Sequence, residues 1–164
     1  MKESGILKIR KAKISDLKQV HKLINDFARK EEMIPRSLNE LYEHMRDFLV
    51  CEDEGRICGV CALHILWEDL AEIRSLVVDR KYQKKGIGKN LVTQCLKEAR
   101  SLGLPRVFAL TYQTRFFKKM GFNDIDKAHL PQKVWGDCLH CPKFPECEEH
   151  AVIIEIRSKG RKVK

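Results

Sequence analysis

The order of apolar and polar runs predicts an α/β fold with helices packed on a mixed sheet. Three observations carry that expectation. An apolar run, Leu76-Val77-Val78, passes through a charged bend into Gly86 and Gly88, where a helical pattern begins. A stretch rich in Val, Ile, Leu and Cys runs from Phe48 to Trp67 and turns at Asp53-Glu54-Gly55, the pattern of an antiparallel hairpin. A strand, a short helix and a return to the sheet follow from Arg106.

Taken in order, Ile6 to Arg10 alternates weakly and is short enough for a first strand. Ser15 is expected to cap a helix whose apolar face is Leu17, Val20, Leu23, Ile24, Phe27 and Ala28, recurring at helical spacing. Met33-Ile34-Pro35-Arg36 reads as a loop. Ser37-Leu38-Asn39-Glu40 is a capping-box pattern, and Leu41, Met45 and Phe48 would form the stripe of a second, shorter helix. After the hairpin and the Ala71 to Val78 strand, a long helix carries Ile87, Leu91, Val92, Cys95, Leu96 and Ala99 on one face and ends at Gly103. Arg106 to Thr111 is a fifth strand. Thr114 to Met120 is a short helix stopped by Gly121, and Phe122 leads back to the sheet. Asn123 to Glu149 has little periodicity and is expected to be looped, with Ala151 to Ile156 as the last strand.

Length suits one domain, residues 1–156, followed by a basic tail over residues 157–164. No stretch of about 18 apolar residues is present to span a membrane. Met1-Lys2-Glu3-Ser4-Gly5 lacks the apolar segment of a signal peptide, so the expected location is the cytoplasm. The net charge of +9 suits a polyanionic cofactor and a dicarboxylate substrate. Nucleic acid is the competing partner, but basic residues are spread along the chain without the aromatic interleaving of RNA-binding surfaces. In a reducing compartment the 7 cysteines do not suggest a disulfide framework, and Cys51, Cys58, Cys61 and Cys95 read as small core residues.

A strand that runs through a Gly-rich turn into a helix presents backbone N–H groups at the positive end of the helix dipole, a seat for phosphate. Gly86 and Gly88 leave room for the anion, and Gln83, Lys84, Lys85 and Lys89 surround it with donors and positive charge. Neither the third glycine of a dinucleotide fingerprint nor the Gly-Lys-Ser/Thr of a Walker loop is present. Gln83-Lys84-Lys85-Gly86-Ile87-Gly88 instead resembles the coenzyme-A motif, Gln/Arg-x-x-Gly-x-Gly/Ala, of the GNAT acetyltransferase superfamily. The element order agrees, so the resemblance implies a mixed, mostly antiparallel central sheet flanked by helices, with a Cys-rich late loop.

Within GNAT, Arg36-Ser37, the Ala71 to Val78 strand, and Val107 to Thr111 before Phe116-Phe117-Lys118-Lys119-Met120-Gly121-Phe122 look like the acetyltransferase domain of N-acetylglutamate synthase. The resemblance implies acetyl transfer from acetyl-CoA to the α-amine of glutamate, the first step of arginine biosynthesis. The usual amino-acid-kinase domain has no counterpart here, which implies a short stand-alone form without the arginine feedback site that domain houses. It also implies that the backbone of Leu76, Val77 and Val78 pairs with the pantetheine arm, and that the pyrophosphate sits on Gln83, Lys84, Lys85, Gly86, Ile87, Gly88 and Lys89. Glu72 matches the glutamate that draws off the amine proton, through water; its bland reading is a carboxylate paired with a nearby Arg or Lys. Many members carry a tyrosine as general acid where this chain has Phe117, which leaves Tyr112 or water for that role. Arg36, Gln113, Arg74 (on the same strand face as Glu72) and Lys133 are the substrate-side candidates. The other readings are a GNAT enzyme acting on a different amine and a basic, zinc-bearing nucleic-acid module; a homodimer is compatible with all of them.

Cys138, Cys141, Cys147 and His150 have the spacing C-x2-C-x5-C-x2-H. Three thiolates and an imidazole build a closed zinc site that would tie down an apolar-poor loop. His140 is the alternative fourth ligand, and reduced thiols, or a disulfide between two of them, are the alternative to metal.

Overall fold

Among the described residues seven strands hydrogen-bond in the order β1-β2-β3-β4-β5-β7-β6: β1 Lys8–Lys11, β2 Phe48–Asp53, β3 Arg56–Trp67, β4 Leu70–Val78, β5 Arg106–Thr111, β6 Asn123–Ile125 and β7 His150–Glu155. The helices are α1 Leu17–Ala28, α2 Leu38–Glu43, α3 Ile87–Ser101 and α4 Thr114–Lys119. The structure is a computed structural model that describes residues 7–30, 32–130 and 150–156. These residues divide into two compact units. One holds the residues up to Leu63 together with Ser75–Cys95, and the other holds His64–Arg74 and those from Leu96 onward. No helix among the described residues is long and apolar enough to cross a membrane.

In the first unit β1 pairs antiparallel with β2, and β2 with β3. The hairpin closes through Glu54 (φ 47°) and Gly55 (φ 85°), two successive left-handed residues whose twist suits a two-residue turn. Its apolar core takes Val20 and Ile24 from α1, Leu41 from α2, Phe48 and Val50 from β2, Val60 from β3 and Val77 from β4. Cys51, Cys58, Cys61 and Cys95 are buried and unbridged, as small core residues should be. The Cys58 thiol donates to the Cys51 carbonyl at 3.3 Å, and burial pushes its pKa up to about 12. It therefore stays a protonated, unreactive group.

Two expectations in this unit are corrected. Ser15 does not cap α1, because it lies inside a 3-10 turn, Ile14–Asp16. The Asp16 carboxylate closes that turn instead, accepting the Lys13 N–H at 2.7 Å while the Arg10 guanidinium grips it from β1. Ser37 does cap α2, its hydroxyl accepting from the Glu40 N–H at 3.1 Å, but that helix stops at Glu43. Met45 falls in a 3-10 turn, and Phe48 enters β2 because strand pairing with Ala62 outweighs the helical stripe.

In the second unit β5 pairs parallel to β4 and antiparallel to β7, so Phe108 and Val107 are fully buried. Leu70, Phe108, Leu130 and Ala151 form its core. α4 ends at Gly121 (φ 98°), with the Phe122 N–H returning to the Phe117 carbonyl. The stretch expected to be looped from Asn123 contains β6 and a 3-10 turn, Lys127–His129. Three residues are too few for alternation to show; β6 exists because β7 supplies its ladder, Asn123↔Ile153 to Ile125↔Ala151. On α3, Ile87, Leu91, Val92 and Cys95 of the first unit and Ala99 of the second are buried as expected, and Leu96 is half-buried. Gly103 (φ 83°) ends the helix, the Leu104 N–H bonding the Ala99 carbonyl.

Candidate active site

The glycine loop is built from the end of β4 outward, within the first unit. The Asp79 N–H donates to the Cys58 carbonyl at 2.8 Å, and the Asp79 carboxylate caps the next turn through the Lys81 N–H at 3.0 Å. Gln83 reaches back, its amide donating to the Val78 carbonyl at 3.0 Å, so it shapes the loop from within. Lys84 (φ 63°) and Gly86 (φ 80°) are both left-handed. A Cβ at Gly86 would meet nothing within 4 Å, so glycine is needed there for its backbone and not for space. The Gly86 carbonyl accepts the Asn90 N–H at 3.0 Å and thereby starts α3. The N–H groups of Ile87, Gly88 and Lys89 precede that bond and have no carbonyl to meet within the helix. The Ile87 side chain is buried, whereas Lys84, Lys85 and Lys89 are exposed. The result is a row of amides at a positive helix end with lysines around it, an arrangement that binds phosphate groups.

Residues that sequence reasoning passed over hold this loop from the hairpin. The Tyr82 hydroxyl donates to Asp53 at 2.6 Å, and Arg56 donates to Asp79 at 3.1 Å. Arg56 and Lys85 lie over the Tyr82 ring at 5.9 and 5.3 Å from its centroid. The bond to Asp53 holds the Tyr82 phenol above its ordinary pKa. Only Asp79, a capping residue directly after an apolar run, offered a sequence signal. Gly59 is a second residue of this kind. A Cβ there would approach the side-chain methyls of Ile87 to 3.0 Å and of Leu91 to 3.2 Å, so glycine lets β3 lie close against the first turn of α3.

In the second unit, the β5 ladder on β4 spans Ala71↔Val107 to Ile73↔Ala109. Ser75, where β4 passes into the first unit, takes φ 54°, a left-handed kink that breaks the alternation of the strand before Leu76. Glu72 is 6% exposed, and the Arg74 Nε donates to its Oε1. Tyr112 and Gln113 follow β5 on exposed positions. The Gln113 N–H donates to the hydroxyl of buried Thr111 at 2.8 Å, a polar core residue that the apolar strand pattern concealed. Phe117 is buried edge-to-face between Phe116 and Phe122, with centroids 5.1 Å away in each case, which makes it a core residue.

Arg36 belongs to the first unit, in the loop before α2, where Asn25 bonds both its backbone groups: the side-chain amide donates to the Arg36 carbonyl at 2.9 Å and the side-chain oxygen accepts its N–H at 3.3 Å. Its guanidinium is 3.9 Å from Glu40. Lys133, Cys138, Cys141 and Cys147 lie outside the described residues. His150 opens β7 opposite Thr111 and is exposed.

Residues 16–122 match the model of the acetyltransferase (GNAT) family. An N-acetyltransferase of Chlorobaculum tepidum is 38% identical over 88% of this chain and 94% of its own length. An amino-acid acetyltransferase of Mycobacterium tuberculosis is 37% identical over 79% of this chain and 75% of its own. A solved structure from M. tuberculosis, in complex with CoA and NLQ, superposes with TM-score 0.80 at 30% identity, covering 92% of this chain and 99% of that one. The N-acetylglutamate synthase of Neisseria gonorrhoeae, complexed with coenzyme A and N-acetyl-glutamate, superposes with TM-score 0.84 at 25% identity over 94% of this chain. This chain spans 36% of that synthase.

Proposed function

Because the chain belongs to the GNAT acetyltransferase family, we propose that it moves the acetyl group of acetyl-CoA to the α-amine of L-glutamate, as an N-acetylglutamate synthase does. The observation that carries the reading is the start of α3, where left-handed Gly86 presents the first-turn amides among exposed lysines. These amides suit the diphosphate of coenzyme A. Leu76 to Val78, beyond the kink at Ser75, suit the pantetheine arm, which needs backbone partners along an extended strand. Relatives named as amino-acid acetyltransferases, and the synthase crystallised with N-acetyl-glutamate, support an amino acid as the acceptor.

The reaction needs a neutral amine near the thioester carbon, donors for the developing oxyanion and a proton for the thiolate. Glu72 accepts the amine proton, directly or through water. The proton for the thiolate comes from Tyr112 or from water, since Phe117 has none to give. Arg36 clamps a substrate carboxylate with its guanidinium fork, a role that Gln113 and Lys133 support. The zinc reading of Cys138, Cys141, Cys147 and His150 rests on spacing alone. Metal analysis of protein purified without chelator tests it, and absence of zinc with all three thiols alkylated removes it.

Thiol release from acetyl-CoA with a panel of amino acids tests the acceptor. Glutamate is expected to give the highest kcat/KM. A rate for glutamate no better than for glycine, lysine or glutamine would leave a GNAT acetyltransferase with another acceptor. Glu72→Gln is expected to lower kcat by about 10²-fold with acetyl-CoA affinity unchanged.

A further inference from the structure

Arg74 admits two roles in this site, and the geometry separates them. We infer that Arg74 is a positioning residue, which holds Glu72 as an oriented carboxylate for proton removal and does not clamp the acceptor's carboxylates. The inference deepens the proposed function and rests on Glu72 as the general base.

The first argument is burial. The side chains of Glu72 and Arg74 are 8% and 14% exposed. A carboxylate so far from water is short of hydration and needs a protein partner for its charge. The adjacent guanidinium replaces that hydration. The second is the shape of the contact. Arg74 approaches Glu72 through Nε, the side of the guanidinium that, with one Nη, forms the fork best matched to a carboxylate. A substrate carboxylate would have to compete with Glu72 for that edge, and a buried carboxylate stripped of its cation is strongly disfavoured.

The third argument is the strand. Glu72 sits in the three-residue ladder with β5, opposite fully buried Phe108, so its backbone is fixed there. Arg74 comes two residues later, on the same face, immediately before the kink at Ser75. The pair is thus local to one rigid piece of strand. Arg36 has the opposite character: a loop residue with its guanidinium 3.9 Å from a carboxylate that is itself 49% exposed. Leaving so loose a surface pair for an incoming carboxylate disturbs little. Arg74 is therefore engaged with the base, whereas the Arg36 guanidinium is held only loosely.

A double-mutant cycle tests this, run on whichever amine the unaltered enzyme acetylates fastest, so that loss of glutamate as acceptor leaves the test standing. Arg74→Ala is expected to lower kcat by about 10- to 100-fold while the acceptor KM changes less than about threefold. Arg74→Lys should recover part of the rate. The Glu72→Gln/Arg74→Ala double variant should be no slower than Glu72→Gln alone, because Arg74 acts through Glu72. An acceptor KM raised tenfold or more with kcat retained, or losses that multiply in the double variant, would overturn the inference while leaving Glu72 as the base. A Glu72→Gln enzyme at full rate removes the base and the inference together. Thermal melting and acetyl-CoA titration confirm that each variant is folded, and Arg74→Gln takes the place of Arg74→Ala if the latter is not.

Discussion

Asp16 accepts three hydrogen bonds at once: from the Arg10 guanidinium at 2.7 and 3.0 Å, and from the Lys13 N–H at 2.7 Å. The bond from Arg10 is the main reason its carboxyl is held below the ordinary value. Arg10 also reaches Glu52 at 2.9 Å, so one cation ties β1 to β2 and to the turn before α1. Asp16→Asn would leave Arg10 without its closest partner and is expected to destabilise the fold by about 3 kcal/mol at neutral pH, read from denaturant unfolding. Since the folded-state pKa is depressed, this stability is complete above about pH 3.9 and disappears as pH falls through the lower folded value. The gap between variant and parent should therefore close in strong acid, and an equal gap at every pH would refute the assignment. None of this was legible in the sequence. Ser15 and Asp16 are equally usual caps, and only the fold brings Arg10 to Asp16. Gly59 was also unreadable, because what crowds a side chain there is Ile87, 28 positions away. Gly59→Ala is expected to cost about 1–3 kcal/mol by the same measurement.

The cofactor loop shows what an element requires beyond its motif. Gln83 to Gly88 could be recognised because the glycines and lysines are consecutive. Its brace could not, since Asp53 and Arg56 lie on the β2–β3 turn and are joined to Tyr82 and Asp79 only by folding. Tyr82→Phe and Asp53→Asn should loosen the loop without touching the chemistry, raising KM for acetyl-CoA by about 3- to 10-fold at unchanged kcat. A fall in kcat at constant KM would show that the brace acts elsewhere. Strand β5 and helices α3 and α4 emerged from the sequence nearly residue for residue, β5 as an apolar run and each helix through its own periodicity and its own glycine stop, Gly103 or Gly121. β6 and the early end of α2 did not, because partner strands, and not local pattern, decide both.

At the scale of the whole molecule, the order of elements and the glycine motif were enough to place the chain in its family, and the strand order agrees. The acceptor was less legible, because its candidate residues, Arg36, Glu72 and Gln113, are single polar side chains far apart in sequence. The charge of +9 acts over the entire surface and favours a polyanionic ligand. Raising ionic strength from about 0.05 to about 0.5 M should increase KM for acetyl-CoA several-fold and leave kcat nearly constant. The most direct measurement of the central claim is a calorimetric titration of acetyl-CoA into the protein and into its Gly86→Val variant. The account predicts saturable binding to the parent, with stabilisation of about 2.7 kcal/mol at a hundredfold excess over Kd. It also predicts at least tenfold weaker binding to the variant, whose left-handed residue a β-branched side chain cannot easily adopt. Equal affinities in the two proteins, or no binding at all, would contradict it.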